Sequence, residues 1–387
     1  METEDRILII EKDIWNAYDK QSNIGLYTGL SGFILFYDCL YEAYKKEEFE
    51  DKLLKIIEKT NELIQNNQNT ISLSSGIAGY GLILLRLKNK SIDINDEYFE
   101  DLDASLIEEF KTLCKSNDFD YMHQAMGIAM YFIERYKKNA NIEIVEILIF
   151  FSKNLIHQID TDFKNAIVQV DDERGKYYSL GLAHGIASYL NFLIYLKKHF
   201  TELATDISET LRICIDFLIS HKNFDKKTKQ HFVNVISLQT NNFLPSRLSW
   251  CQGDLGIANA LYNSGIYLDD RILIIEGIEL INKSATINFI DSGVNDFGIC
   301  HGSAGIVLQL HLASKKYGID YMNEMDCWLN VLKEQTNNFQ EYPWHNNTTN
   351  TYYTDMSLLT GAVGLGLTLL TVENKIDTEW LEILNLH

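Results

Sequence analysis

"FGICHGSAGIVLQL", residues 297–310, sets a cysteine and a histidine (Cys300, His301) against a glycine and then runs apolar. One G-x-x-G before an apolar run is a weak signal. Six relatives of it lie elsewhere in the chain: "LYTGLSGFIL" from Leu26, "LSSGIAGYGLIL" from Leu73, "YMHQAMGIAMYF" from Tyr121, "LAHGIASYLNFL" from Leu182, "WCQGDLGIANAL" from Trp250 and "LLTGAVGLGLTL" from Leu358. The first position of the pair is Gly29, Gly76, Gln124, Gly185, Gly253, Gly302 and Gly361. The second is Gly32, Gly79, Gly127, Ser188, Gly256, Gly305 and Gly364. Seven such segments in register along one chain mark a repeat architecture.

The glycine-led segments are apolar nearly all round, as in "GIVLQLHLA", and such helices are buried. They alternate with amphipathic ones. In "DKLLKIIEKTNELIQ", from Asp51, the residues Leu53, Ile56, Ile57, Leu63 and Ile64 share one stripe, the pattern of a surface helix. Similar stretches begin near Glu4, Glu97, Ile142, Leu203, Asp269 and Asp320. Only two prolines occur, Pro245 and Pro343, which suits a helical chain. The pattern predicts an all-α fold: one α/α toroid over residues 1–387, with seven inner and seven outer helices. An open solenoid would leave a second apolar face of the inner helices uncovered. Long connections precede the last four glycine segments, at residues 160–180, 222–249, 286–299 and 340–357, and long loops in compact domains tend to be functional. All four should emerge at one end of the toroid. Residues 165–170, "NAIVQV", have the composition of a short strand.

The formal net charge is −20, which repels phosphate backbones and argues against nucleic-acid binding. It favours a basic partner or simply solubility. The opening "METEDRILII" has no signal-peptide character, and no apolar run reaches the ~18 residues of a membrane span. A cytosolic location is expected. The six cysteines are spread widely, and in a reducing compartment such residues are thiols or metal ligands rather than disulfides.

Equivalent repeat positions occupy equivalent places round a ring. Cys251 and Cys300 each lie two residues before the first glycine; His184 and His301 each lie one before it. These four side chains should converge. Two thiolates and an imidazole suit zinc, and three protein ligands leave a fourth position open, the catalytic pattern. The expected ligands are Cys251, Cys300 and His301, placed where a helix N-terminus favours the thiolate. His184 is either a fourth ligand or an acid/base beside the metal. Asp120, four residues before Gln124, orients a histidine, joins proton transfer, or caps a helix. Arg247 and Trp250 flank Cys251; they bind substrate, or form a salt bridge and pack the core, respectively. Cys39, Cys114, Cys214 and Cys327 lie away from the glycine turns and read as core or surface thiols.

The segments "GLAHG" (from Gly181), "SWCQG" (from Ser249) and "CHG" (from Cys300) resemble the signature of the lanthionine synthetase C-like family. The resemblance runs through all seven repeats. It implies an α/α toroid with zinc on Cys251, Cys300 and His301. It also implies that His184 and Asp120 match the family's proposed acid/base positions, with Arg247 and Trp250 in the active site. Its bacterial members close lanthionine and methyllanthionine rings in ribosomally made peptides. The chain departs from the pattern at Gln252, where tyrosine is common, and at Gln124 and Ser188, which replace repeat glycines. The "DYMHQAMG" stretch is a looser match.

The implied reaction is addition of a peptide cysteine thiolate to dehydroalanine or dehydrobutyrine in the same precursor. No dehydratase segment is expected ahead of the first repeat near residue 25, so a separate dehydratase is implied as a partner, with an exporter at the membrane as a further association. Three other readings stand beside this one. A prenyltransferase-like zinc enzyme usually has a carboxylate ligand, which the Cys-Cys-His set lacks. A relative that adds glutathione to dehydroamino acids would share the zinc site. A non-catalytic peptide-binding scaffold would not need it.

Overall fold

A computed structural model describes residues 3–67, 69–88, 90, 92, 94–171, 175–240, 243–346 and 349–387. In chain order its helices are α1 (Thr3–Ala17), α2 (Leu30–Tyr44), α3 (Glu47–Asn66), α4 (Ile77–Leu87), α5 (Asp96–Ser116), α6 (Ala125–Lys138), α7 (Ile142–Ala166), α8 (Ile186–His199), α9 (Ser208–Ser220), α10 (Asp254–Leu268), α11 (Arg271–Ala285), α12 (Phe289–Ser292), α13 (Ser303–Tyr317), α14 (Met322–Gln335) and α15 (Ala362–Val372). Every glycine-led segment has become a helix beginning one residue after its first repeat position. In α15 the residues from Ala362 to Thr371 are all buried. In α3 only Phe49, Leu53, Ile56 and Thr60 are buried, a single stripe. The first kind needs neighbours all round and the second needs one, so they sort into an inner and an outer layer.

The inner helices pack in the order α2, α4, α6, α8, α10, α13, α15 and back to α2. Outer helices α3, α5, α7, α9, α11 and α14 pack on the inner helix that precedes them, α5, α9 and α11 reach the following inner helix as well, and α1 packs on α15. Seven inner and seven outer helices therefore close as a toroid, with α12 as an extra turn in a loop. The second repeat glycines show why small residues recur. A methyl group on Gly79 would run into the Leu73 carbonyl and come within 2.9 Å of Leu26 Cβ, in the repeat before. At Gly32 it would come within 3.1 Å of Leu358 Cβ, so the contact that joins the last repeat to the first is of the same kind. Ser188 breaks the glycine pattern, and its carbonyl accepts from Asn385 Nδ2 at 2.9 Å.

A chain of backbone hydrogen bonds runs round one end of the toroid. The residue two before each first repeat position donates its N–H to the carbonyl of its equivalent in the next repeat. The links are Tyr27 to Ser74 (2.9 Å), Ser74 to Met122 (3.0 Å), Ala183 to Cys251 (3.3 Å), Cys251 to Cys300 (3.0 Å), Cys300 to Leu359 (2.9 Å) and Leu359 back to Tyr27 (3.2 Å). Among the described residues the step from Met122 to Ala183 has no such bond. The last residues of the chain fill the middle of the ring. Ile383 accepts from Tyr121 (3.0 Å), Leu384 from Trp250 (2.9 Å) and Asn385 from Asn191 (2.8 Å), donors from three different repeats.

Among the described residues six short strands add to the helices. β1 (Val168–Asp171), β2 (Gly175–Ser179), β3 (Val235–Ser237) and β4 (Phe243–Leu244) form one antiparallel sheet in that order. β5 (Pro343–Asn346) and β6 (Thr351–Thr354) form a hairpin. The β2–β3 pairing joins two of the long connections. The bonds Leu248 N–H to Ser292 O (2.8 Å) and Tyr352 O–H to Asn295 O (3.4 Å) join the other two to them. All four thus lie at one end, over the turns that begin the inner helices. No helix among the described residues is long and apolar enough to cross a membrane.

Candidate metal centre and its cleft

Cys251 and Cys300 hold successive places in the ring of backbone bonds, so the Cys251 N–H to Cys300 O link sets their side chains next to each other. His301 follows directly. The two sulfurs and a ring nitrogen of His301 lie within 4.8 Å of one another. His301 Nε2 is 3.1 Å from Oδ2 of Asp296, which is wholly buried, and Asp296 Oδ1 accepts the Gly298 N–H at 3.0 Å. That leaves Nδ1 of His301 to face a metal, with a carboxylate behind the imidazole as metal-binding histidines commonly have. Burial pulls His301 down, but Asp296 and the Cys251 sulfur outweigh it and hold its pKa above the ordinary value. The hydrogen bond from the Cys300 thiol holds Cys251 below a normal thiol, at about 6, with His301 and Arg247 assisting against burial. The same bond, with burial, pushes Cys300 up. The donor set of two sulfurs and one nitrogen fits a borderline-soft ion.

A second group sits where the backbone ring lacks its link. The residue four before each first repeat position is Gly25, Ser72, Gly181, Ser249, Gly298 or Ser357, small wherever the next turn presses close; in the third repeat it is Asp120. A methyl on Gly181 would meet the Cys251 carbonyl, and one on Gly298 would lie 3.0 Å from the Leu359 carbonyl. At the open step there is room for a carboxylate, and Asp120 uses it to reach the next repeat. Its Oδ2 is 2.8 Å from His184 Nδ1, and its Oδ1 accepts the His123 N–H at 2.8 Å. Burial would raise Asp120, but His184 and then His123 outweigh it and hold the carboxyl below the usual range. The His123 and His184 rings stack with centroids 5.5 Å apart.

Cys251 and Cys300 of the first group and Asp120, His123 and His184 of the second line one cleft of about 480 Å³, and Gln169, Tyr177 and Val235 of the sheet form another wall of it. Gln169 Nε2 donates to the His184 carbonyl at 3.2 Å, pinning the sheet to the turn. The sulfur pair and the Asp120–His184 pair thus face the same space.

Residues 20–385 match the family model described as lanthionine synthetase C-like protein. The chain belongs to the lanthionine synthetase C-like family. Among solved structures it is similar to "Nisin cyclase", at 20% identity and TM-score 0.76 over 97% of this chain and 96% of that one, a likeness of fold. An inactive α-1,6-mannanase variant of Salegentibacter, in complex with a mannotetrose, matches over 95% of this chain and 98% of that one at 11% identity and TM-score 0.44, and carries no argument. No curated protein matches the sequence.

Against the expectations for this lanthionine synthetase C-like chain, the structure brings together Cys251, Cys300 and His301, and separately Asp120 and His184. Arg247 is half-buried; its charge acts on Cys251, Cys300 and His301, and its Nη1 is buried with no hydrogen-bond partner. Trp250 is placed otherwise than expected. Its side chain is wholly buried, donates to the Leu384 carbonyl at 2.9 Å and packs edge-on against Tyr27, so it anchors the tail instead of lining the cleft. Position beside a ligand does not fix direction: at a turn, adjacent side chains point to opposite sides. Cys39, Cys114 and Cys214 are buried and Cys327 is exposed. Two residues went unnoticed in the sequence. His123 occupies the same register as His184 and His301, one before the first repeat position, but Gln124 masked the repeat there. Asp296 carries no local signal, since only folding sets it against His301.

Proposed function

We propose that this chain is a zinc-dependent peptide cyclase that closes lanthionine or methyllanthionine rings. The observation that supports it is the convergence of Cys251 and Cys300, with His301 beside them, and the Asp120–His184 pair on one cleft that the two sulfurs and the pair both line. Cys251, Cys300 and His301 would hold the zinc. Zinc bound there supplies a Lewis acid that lowers the pKa of a substrate thiol while two protein thiolates preserve the sulfur's nucleophilicity.

The protein's own groups do the rest. The cleft holds both reacting ends of a dehydrated precursor peptide, converting their encounter into an intramolecular one. The peptide sulfur bonds to the β-carbon of dehydroalanine or dehydrobutyrine, and the alkene electron pair moves to form an enolate. Arg247, whose charge acts on Cys251, Cys300 and His301, would steady the negative charge on that oxygen. Asp120 fixes His184 through Nδ1, so Nε2 is the atom that delivers the proton to the α-carbon. The substrate must first lose water from serine or threonine, which makes a dehydratase the upstream partner. An exporter at the membrane is placed downstream, and the reaction is placed in the cytoplasm.

The test is metal content by elemental mass spectrometry, beside turnover of a dehydrated peptide. About one tightly held zinc per chain is expected, largely lost in Cys300→Ala. Ring closure leaves the peptide's mass unchanged and removes alkylatable thiols. A glutathione adduct instead, with no ring, would move the chain to thiol addition. Intact peptide binding with neither zinc nor turnover would make it a scaffold.

A further inference from the structure

Asp120, His123 and His184 do more than form a hydrogen-bonded pair with a neighbour. One carboxylate oxygen and one nitrogen from each imidazole lie within 4.8 Å of one another. Asp120 Oδ2 and His184 Nδ1, 2.8 Å apart, stand at the separation of two ligands sharing one ion, given metal–ligand bonds of about 2.0–2.2 Å. Asp120 is buried, His184 half-exposed and His123 exposed, so the carboxylate is anchored while both imidazoles face the cleft. The desolvating cleft holds His123 below the ordinary histidine pKa, against the pull of Asp120. Two imidazoles and a carboxylate with the remaining positions open are a common site for zinc and its neighbours in the first transition row. The set lacks the thiolates of the Cys251–Cys300–His301 group, so it is the weaker of the two and fills second.

We propose that Asp120, His123 and His184 form a second divalent transition-metal site in the same cleft, and that filling it silences the protein. A metal on His184 Nδ1 and Asp120 Oδ2 would replace the Nδ1 hydrogen bond and keep the ring from becoming the imidazolium whose Nε2 proton the reaction needs. The binding claim stands on these three residues alone; the silencing rests on the cyclase reading above.

The probe is Co²⁺ titrated into the metal-free full-length chain and followed by its visible spectrum. Wild type is expected to bind two equivalents, the first with thiolate-to-metal charge transfer and the second without it. His123→Asn, at an exposed position, is expected to lose the second equivalent and keep the first. A Cys251→Ala/Cys300→Ala double variant is expected to keep a single site without charge transfer. Saturation of wild type at one equivalent that carries thiolate-to-metal charge transfer overturns the proposal, as does a second equivalent that survives in His123→Asn or a double variant that binds nothing. If wild type shows the second kind of spectrum but never the first, the metal centre of the cyclase reading fails while this site stands. In ring-closure assays excess Zn²⁺ is expected to inhibit wild type, and His123→Asn to need at least ~tenfold more for the same inhibition; equal sensitivity rules out silencing through this site.

Discussion

Asp120 has opposing demands at the scale of a single side chain. Burial disfavours its charge, and its contacts with His184 and His123 restore it, leaving its pKa below normal. A depressed carboxyl contributes stability that is complete above its unfolded value of ~3.9 and fades as pH falls through the folded value. Urea midpoints of wild type and Asp120→Asn should therefore differ near pH 5 and converge as the pH falls below about 4; a gap that widens in acid contradicts the pairing. The same substitution should slow ring closure by roughly 10²–10⁴-fold while the zinc content stays. Trp250→Phe distinguishes anchoring from catalysis. It removes the hydrogen bond to Leu384 and should cost about 1 kcal/mol of stability with turnover nearly unchanged. A collapse of turnover at full stability would return Trp250 to the site.

At the scale of an element, the turn that starts α10 carries the centre. Gly253 has φ of 102°, a conformation that favours glycine, and a methyl there would run into the Arg247 carbonyl. Asp254, the first residue of the helix, is buried and accepts the His231 and Phe232 N–H groups at 2.7 and 3.1 Å, fastening the long connection to the turn. Gly253→Ala should therefore cost about 1–3 kcal/mol and release metal as well, since Cys251 sits two residues upstream. The two effects are read by urea denaturation and elemental analysis of the same sample. Loss of stability with full metal retention would mean that the turn and the sulfur are uncoupled.

For the whole molecule, ring closure is what turns a linear register into a site. The centre joins the turns before α10 and α13, neighbours in the ring, so a bound ion is a clip between repeats. A ligand that binds only the native form stabilises it by mass action. Chelation should lower the unfolding temperature of wild type and leave Cys300→Ala, already without the clip, almost unmoved. Equal shifts in both would place the stabilising ion elsewhere.

The register of seven glycine turns, the alternation of all-round apolar with one-striped helices, and the shared offsets of Cys251, Cys300, His184 and His301 were all in the sequence. Periodicity is a local property, and in a closed ring equal offsets mean equal places. Residue by residue the limits show. Asp120 could be named from its offset, but that it meets His184 depends on the one described step where the backbone link is missing. His123 lay in register behind a glutamine. Asp296 reaches His301, Trp250 turns inward to Leu384, and residues 177–179 pair with residues 235–237 only once the toroid has closed. The sequence determined which positions recur round the ring. The tertiary structure decided which side chains meet across it, because distance between repeats and the direction of each side chain are set by packing, and neither is written in spacing.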